Sequence, residues 1–170
     1  MSKTPMKYCH MPSPVGPLLL AGTAKALHII SFPGGDKAIQ PHAGWEQSEA
    51  PFTEAKRQLN AYFTGELTKF DLPFELTGTQ FQQKVWRTLA SIPVGQTRTY
   101  GWLAKAVGSP KASRAVGAAN GANPLPIILP CHRIIGANGT LTGFGGGLPT
   151  KKFLLELEGV KVSGEQLSLL

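Results

Sequence analysis

Pro130-Cys131-His132-Arg133 sets a cysteine beside a histidine, directly after the apolar run Ile127-Ile128-Leu129. A thiol becomes a useful nucleophile only as its thiolate, which a nearby base or positive charge makes accessible near neutral pH. The surroundings are electropositive. Between Glu75 and Glu156 the chain carries no carboxylate and nine Lys and Arg residues. The same segment suits a polyanion, because phosphates bound by basic side chains release their counterions. By position alone, a cysteine after a strand-like run reads as buried and inert; its neighbours argue for reactivity. Successive side chains of an extended segment point apart, so His132 is expected to reach the Cys131 thiol through a water. Glu158, near the end of a helix starting around Thr150, is placed to orient the imidazole. This is the nucleophile, base and orienter logic of an activated side chain. Four histidines and two cysteines show no metal-ligand spacing, so no metal is expected.

Several elements must hold these residues. Leu18-Leu19-Leu20-Ala21 and Leu27-His28-Ile29-Ile30 read as short strands flanking a turn at Gly22-Thr23-Ala24-Lys25. Residues 34–50, rich in Gly, Pro and polar groups, read as loop. Ala55, Leu59, Tyr62 and Phe63 recur at helical spacing from Thr53 to Phe63, and Gly65 stops the run. Phe70 to Leu76 reads as a returning strand. The composition changes near Gly78, which divides the chain into 1–78 and 79–170. Thr79 and Gln82 form a capping box for a helix bearing Phe81, Val85 and Leu89, which Pro93 and Gly95 end. A second helix is predicted from Gly101 to Val107. Gly108-Ser109-Pro110 then supplies a turn, a cap and a first-turn proline for a third helix from Lys111 to Asn120. Two short helices joined by a glycine-containing turn make a helix-turn-helix pattern. The third helix is built from small residues, Ser113 and Ala115 among them, with Arg114 as its one long side chain after Lys111. Readers of the major groove present several long polar side chains. This helix suits either a close minor-groove approach or a tightly packed core.

Length and composition narrow the classes. The 170 residues suffice for one large or two small domains, and 42% apolar with 16% charged residues is ordinary for a globular chain. Residues 1–78 hold seven basic and seven acidic side chains, so the whole net charge of +7 resides in 79–170. A neutral half joined to a basic half suggests that only the second meets a polyanion, the alternative being a merely soluble basic surface. Cys9 and Cys131 form no disulfide framework, which fits a reducing cytosol. The start of the chain does not read as a secretion signal, and the apolar run at Leu18 is too short for a membrane span. A cytoplasmic protein without a membrane partner is the expectation.

With these residues in view, the chain resembles the O6-alkylguanine-DNA alkyltransferases. The resemblance rests on Pro130-Cys131-His132-Arg133-Ile134, Arg114-Ala115-Val116-Gly117, Asn123-Pro124 and Glu158-Gly159, in matching order and separation over nearly all of 79–159. The N-terminal half matches less sharply, mainly through Ser13-Pro14-Val15-Gly16 and the strand pattern after it. The resemblance implies an α+β protein, with a ribonuclease-H-like N-terminal unit followed by a helix-turn-helix, winged-helix-like C-terminal domain. It also implies irreversible transfer of the alkyl group from O6-alkylguanine, and from O4-alkylthymine, to Cys131 in a single turnover without a cofactor. The implied partner is double-stranded DNA entered through the minor groove, with single-stranded DNA as a further one, bound by a monomer. Arg114 matches the arginine that fills the space vacated by a flipped nucleotide, and Tyr100 the tyrosine that helps turn the backbone phosphate. Ser113 and Ala115 accompany them on the DNA-facing helix. His132 and Glu158 match the water-linked partners of the thiolate. Asn123 matches a structural residue before the active-site strand and Lys151 an active-site lysine; Ile134, Phe144, Gly145 and Gly146 fall in the pocket or its support.

Two departures stand out. Phe144 occupies the place of a tyrosine whose hydroxyl contacts guanine N3, and Gly145-Gly146 replaces bulkier groups, suggesting an open alkyl pocket. Zinc-binding relatives use N-terminal Cys and His ligands; here His28 is present but Thr23 stands at a matching cysteine position, so no zinc is expected. Three other readings compete. A non-catalytic damage sensor of this fold is opposed by Cys131, and a transcription regulator by the small-residue third helix. A cysteine hydrolase using Cys131, His132 and Glu158 is separable by its repeated turnover.

Overall fold

Burial of apolar side chains drives the early strands together. A computed structural model of the chain describes residues 5–163 and the backbone of 166 and 167; residues 1–4, 164, 165 and 168–170, which the divisions 1–78 and 79–170 include, lie outside the described residues. Strands β1 (Lys7–Met11), β2 (Leu18–Gly22) and β3 (Leu27–Ser31) pair antiparallel, with Cys9 opposite Leu20 and Leu20 opposite Ile30. All five residues of β2 are buried, as befits the middle of the ladder. The predicted hairpin turn closes through the Thr23 N–H to the Ala26 carbonyl, 2.9 Å. Within the expected loop, the two-residue strand β4 (Glu46–Gln47) pairs parallel with β1, giving the order β3-β2-β1-β4.

Helix α1 (Thr53–Phe63) has the predicted bounds and buries Ala55, Gln58, Leu59 and Tyr62, a single stripe at helical spacing. Gly65 follows at φ +80°, a left-handed conformation that ends the run. The strand expected over Phe70–Leu76 is not formed as such. Leu27 makes one parallel bridge to Phe74, because Pro73 offers only its carbonyl to the ladder.

Helix α2 (Gln80–Leu89) starts with the predicted capping box: Gln82 N–H donates to Thr79 Oγ1 and Thr79 N–H to Gln82 Oε1, both 3.0 Å. Its buried face is Val85, Trp86 and Leu89, while Phe81 is only partly buried. The Trp86 indole N–H donates to the Ala119 carbonyl at 2.7 Å, so the largest side chain of α2 is tied to a later helix. Strand β5 (Arg98–Thr99) leads straight into α3 (Tyr100–Ala106), which Thr99 caps by accepting from the Trp102 N–H.

Helix α4 (Ser113–Gly121) begins later than predicted. Ser109 and Pro110 belong to a turn closed by the Ala112 N–H on the Ser109 carbonyl, and Ala112 caps the helix without a side-chain bond. Its small residues serve two surfaces. Val116, Ala119 and Asn120 are buried against the rest of the chain, while Ser113, Arg114, Ala115 and Ala118 are exposed. Strand β6 (Ile134–Ile135) pairs parallel with β5, Arg98 opposite Ile134, and α5 (Leu148–Leu157) follows. Strands β7 (Val162–Ser163) and β8 (Gln166–Leu167) pair antiparallel at the end.

The expected change at Gly78 does not divide the core. Leu20, Ile30, Phe52, Leu59 and Tyr62 from the first half join Trp86, Leu103, Val116, Leu125 and Leu154 in one contiguous buried cluster. Among the described residues no helix is long and apolar enough to cross a membrane. Trp86→Ala should lower unfolding free energy by about 3–5 kcal/mol, measured by urea denaturation, because it empties a fully buried aromatic site and removes the indole bond to the Ala119 carbonyl.

Candidate active site

The strand expected over Ile127–Leu129 is replaced by turns. Ile127 takes φ +76°, the single non-glycine residue with positive φ among those described, and the Leu129 N–H bonds the Leu125 carbonyl. Asn123 anchors this segment at both ends: its Oδ1 accepts from the Leu125 N–H at 2.9 Å and its Nδ2 donates to the Leu129 carbonyl at 2.7 Å. The chain then enters a 3-10 turn over Cys131–Arg133, closed by the Arg133 N–H on the Pro130 carbonyl, and passes directly into β6. β6 runs parallel to β5 with Arg98 opposite Ile134, so Cys131 precedes the pair while Tyr100, at the start of α3, follows it.

Cys131 is 5% exposed and lines a cavity of about 320 Å³. Ile30, Phe32 and Lys37 contribute from the N-terminal half, and Asn120, Asn123 and Phe144 from the C-terminal half. Burial raises the thiol pKa to about 11, against the Asn123 side chain, the Lys151 charge and the backbone N–H groups of Cys131 and His132, all of which favour the thiolate. Cys131 therefore rests as a thiol and has a cradle ready for the anion.

His132 and Arg133 turn away from the cavity's apolar wall onto one carboxylate. Glu158 follows α5, its N–H bonded to the Leu154 carbonyl and its side chain 2% exposed. Its Oε2 lies 2.7 Å from His132 Nε2, and Arg133 grips both oxygens, Nε to Oε1 at 2.7 Å and Nη2 to Oε2 at 2.9 Å. Arg133 Nη1 also donates to the Ile92 carbonyl at 2.6 Å. A fourth donor arrives from α1: Tyr62 Oη to Glu158 Oε2, 2.5 Å. Burial opposes ionisation of Glu158, but the bonds and charges of His132 and Arg133 outweigh it and hold the carboxyl at about 2. Burial likewise pushes the His132 pKa down, so the ring is neutral at neutral pH. An ionised Glu158 accepts, which leaves the proton on Nε2 and makes Nδ1 the basic nitrogen. Nδ1 is buried with no partner among the described residues.

Lys151 is wholly buried, and its ammonium donates to the Ile134 carbonyl at 2.6 Å and the Thr142 carbonyl at 2.9 Å. It ties β6 to the loop before α5 while placing positive charge near Cys131; burial lowers its pKa to about 8. Thr142 Oγ1 in turn donates to Tyr100 Oη at 3.1 Å. Phe144 packs against Phe32 with ring centroids 5.6 Å apart. The space expected to open at Gly145 and Gly146 is taken by side chains from the N-terminal half. A Cβ at Gly145 would lie 2.7 Å from Lys37 Cγ, and one at Gly146 2.5 Å from Phe32 Cδ2. These glycines admit the loop after β3, and Phe32 and Lys37 then bound the cavity.

Comparison with known proteins agrees with this arrangement. Two family models match: the 6-O-methylguanine DNA methyltransferase ribonuclease-like domain over residues 6–76, and the DNA binding domain of the same family over residues 80–160. A methylated-DNA–protein-cysteine methyltransferase of Methanosarcina acetivorans is 54% identical over 154 residues, spanning 91% of this chain and 99% of that protein. The chain belongs to the 6-O-methylguanine DNA methyltransferase family. The methyltransferase of Mycobacterium leprae is 52% identical over 155 residues, 90% of this chain and 93% of that one. Among solved structures, the O6-methylguanine methyltransferase of Mycobacterium tuberculosis superposes with TM-score 0.83 at 50% identity, covering 90% and 92% of the two chains. That organism's OGT protein in complex with DNA gives 0.84 at 50% identity, covering 89% and 92%.

Within this methyltransferase fold, Cys131, His132, Glu158, Asn123, Ile134 and Lys151 converge around one turn, with Phe144, Gly145 and Gly146 on the cavity's rim. Arg114, Ser113 and Ala115 lie apart on the exposed face of α4. Arg133 stands inside the motif, but a basic residue in a basic segment gives no separate signal of its grip on Glu158. Tyr62 carried no signal beyond helical spacing. Asn120, Phe32 and Lys37 carried none as cavity residues.

Glu158→Gln should cost about 3–5 kcal/mol of stability at neutral pH, since it strands the Arg133 guanidinium in a buried site. The wild-type carboxyl, held at about 2 against an ordinary 4.5, contributes stability that is full above 4.5 and lost as pH falls toward 2. Urea titrations of both proteins should therefore show the gap closing over that interval.

Proposed function

We propose that this chain repairs DNA directly by moving the alkyl group of O6-alkylguanine, and of O4-alkylthymine, onto Cys131 once per molecule. The observation that carries the reading is a buried thiol at an apolar cavity, beside a neutral histidine whose other nitrogen is held by an ionised glutamate. The division into units 1–78 and 79–170 and the reading of α3 and α4 as a helix-turn-helix belong to the same proposal, as do a cytoplasmic setting and a monomeric repair protein.

Double-stranded DNA is bound through the minor groove by the outer face of α4, where Ser113 and Ala115 allow the backbone close and Arg114 fills the space of an extruded nucleotide. Single-stranded DNA is a further substrate because extrusion from a duplex is not intrinsic to the chemistry. Tyr100, tied to Thr142, stands where the phosphate of the turned nucleotide passes. Extrusion is needed because an alkylated base edge cannot present its carbon in line to a protein sulfur while stacked, and it costs a few kcal/mol, least for a weakened pair.

The Cys131 proton passes through a water to His132 Nδ1, and the imidazolium is stabilised by Glu158. Sulfur attacks the alkyl carbon, the carbon–oxygen bond breaks, and its electron pair leaves with the base, which takes up the proton given up by sulfur and returns His132 to its neutral form. The atoms balance from protein and DNA alone. The product is a thioether, from which the thiolate cannot be regenerated by the same path, so activity ends. Phe144 offers no hydroxyl to the leaving base; its ring instead packs on Phe32.

Intact mass measured after incubation with O6-methylguanine duplex should rise by one methyl group per molecule, located on Cys131 by peptide mapping. Cys131→Ala should bind DNA and transfer nothing. Repeated turnover, or methylation of Cys9, contradicts the assignment. Arg114→Ala should slow repair of duplex DNA far more than reaction with free O6-benzylguanine, since gap filling matters only when a base has left a stack; equal losses would place Arg114 in the chemistry or the fold.

A further inference from the structure

Glu158 Oε2 is crowded. Three donors meet this one oxygen: His132 Nε2 at 2.7 Å, Arg133 Nη2 at 2.9 Å and Tyr62 Oη at 2.5 Å. A carboxylate offers about four lone-pair sites over its two oxygens, so three donors on one oxygen share what two would saturate. Arg133 and His132 belong to the cysteine motif itself. Tyr62 comes from α1, 96 residues away in sequence, and its side chain is buried in the core shared by both halves. We propose that Tyr62 is a positioning residue for alkyl transfer: its hydroxyl holds the Glu158 carboxylate and limits how strongly that carboxylate draws a proton onto His132. The proposal rests on the reading of Cys131, His132 and Glu158 given above.

The chemistry sets a narrow requirement. His132 must be neutral before the reaction and cationic during it. A bare carboxylate at 2.7 Å in a buried site stabilises imidazolium strongly, and a ring protonated in advance cannot accept the thiol proton. Each further donor on Oε2 spreads the anion's charge and weakens its pull on the ring. Every charged or titratable group that faces His132 acts on the same balance. Arg133 from the 3-10 turn and Lys151 from α5 oppose the cation, Glu158 favours it, and the Cys131 thiol is uncharged until it reacts. Tyr62 adds no charge; burial and the adjacent Glu158 raise its pKa, so it remains a phenol and a permanent donor. A phenylalanine would fill the same core space and donate nothing.

The test compares wild-type protein with Tyr62→Phe. Single-turnover transfer is followed on O6-methylguanine duplex and on free O6-benzylguanine across the acid limb, and the His132 ring is titrated by NMR. Removing one hydrogen bond to a charged group should move the acid limb upward by about one unit, so that transfer slows about tenfold at pH values on that limb and by less at neutral pH. The sign follows from the base: His132 acts when neutral, so raising its pKa moves the onset of activity to higher pH. The loss should be equal on both substrates, with DNA affinity unchanged and the His132 titration displaced in the same direction. A rate loss with the acid limb and the titration both unmoved, at whatever melting temperature, would reduce Tyr62 to a packing residue and overturn the proposal. If the wild-type protein transfers no alkyl group, the functional reading itself fails, and the NMR titration still decides whether Tyr62 governs His132.

Discussion

A single buried carboxylate constrains much of this molecule. Taking an anion such as Glu158 out of water is costly, and the cost is offset only by well-placed opposite charge and a full set of donors. The chain meets that requirement with residues from three regions: Arg133 and His132 from the 3-10 turn, Tyr62 from α1, and the end of α5 to carry the glutamate itself. Satisfying the carboxylate thereby fixes the orientation of the imidazole, the direction of the cysteine turn and the seat of α1 against the C-terminal half. Stability and chemistry converge on the same bonds.

The thiol faces the opposite problem. An apolar cavity suits an alkyl group and a displaced base, but the same burial raises the Cys131 pKa to about 11 and keeps the proton on sulfur. The fold supplies donors toward the anion without pre-forming it: the Asn123 side chain, successive backbone N–H groups and the buried Lys151 charge. Nucleophilicity is thus deferred until a base can take the proton, which suits a residue that reacts once. Asn123 and Lys151 also hold the local backbone, Asn123 across the turn and Lys151 between β6 and the loop at Thr142, so the groups that favour the thiolate also shape the segment presenting it.

Helix α4 shows how small residues serve two masters. Val116 and Ala119 let it lie close to α2, near enough for the Trp86 indole to reach the Ala119 carbonyl, while Ser113, Arg114 and Ala115 remain outside. The helix packs into the core on one face and leaves the other exposed, because opposite faces of one helix answer to different surroundings. Gly145 and Gly146 make a comparable compromise, giving up side chains so that Phe32 and Lys37 can close the cavity.

Local signals in the sequence were enough for the pieces whose physics is local. The Thr79–Gln82 box, the stripe from Ala55 to Tyr62 and the hairpin around Thr23 depend on residues within a few positions of one another, and all three formed as read. The cysteine motif, its histidine and Glu158 were legible because motif order implied their roles. Where local preference misled, a longer-range demand won: Ile127–Leu129 looks like a strand by composition, yet Asn123 binds both ends of the segment and folds it into turns. Likewise the cap predicted at Ser109 gave way to a turn, and α4 began at Ser113. Sequence by itself marked the side chains proposed to carry the chemistry and most of the stretches that become helices. Tertiary structure alone decided that Tyr62 and Arg133 share the glutamate with His132, that Phe32 and Lys37 bound the cavity, and that one core runs through both halves. Contacts between residues far apart in the chain arise from the closure of the whole fold, and no spacing rule encodes them.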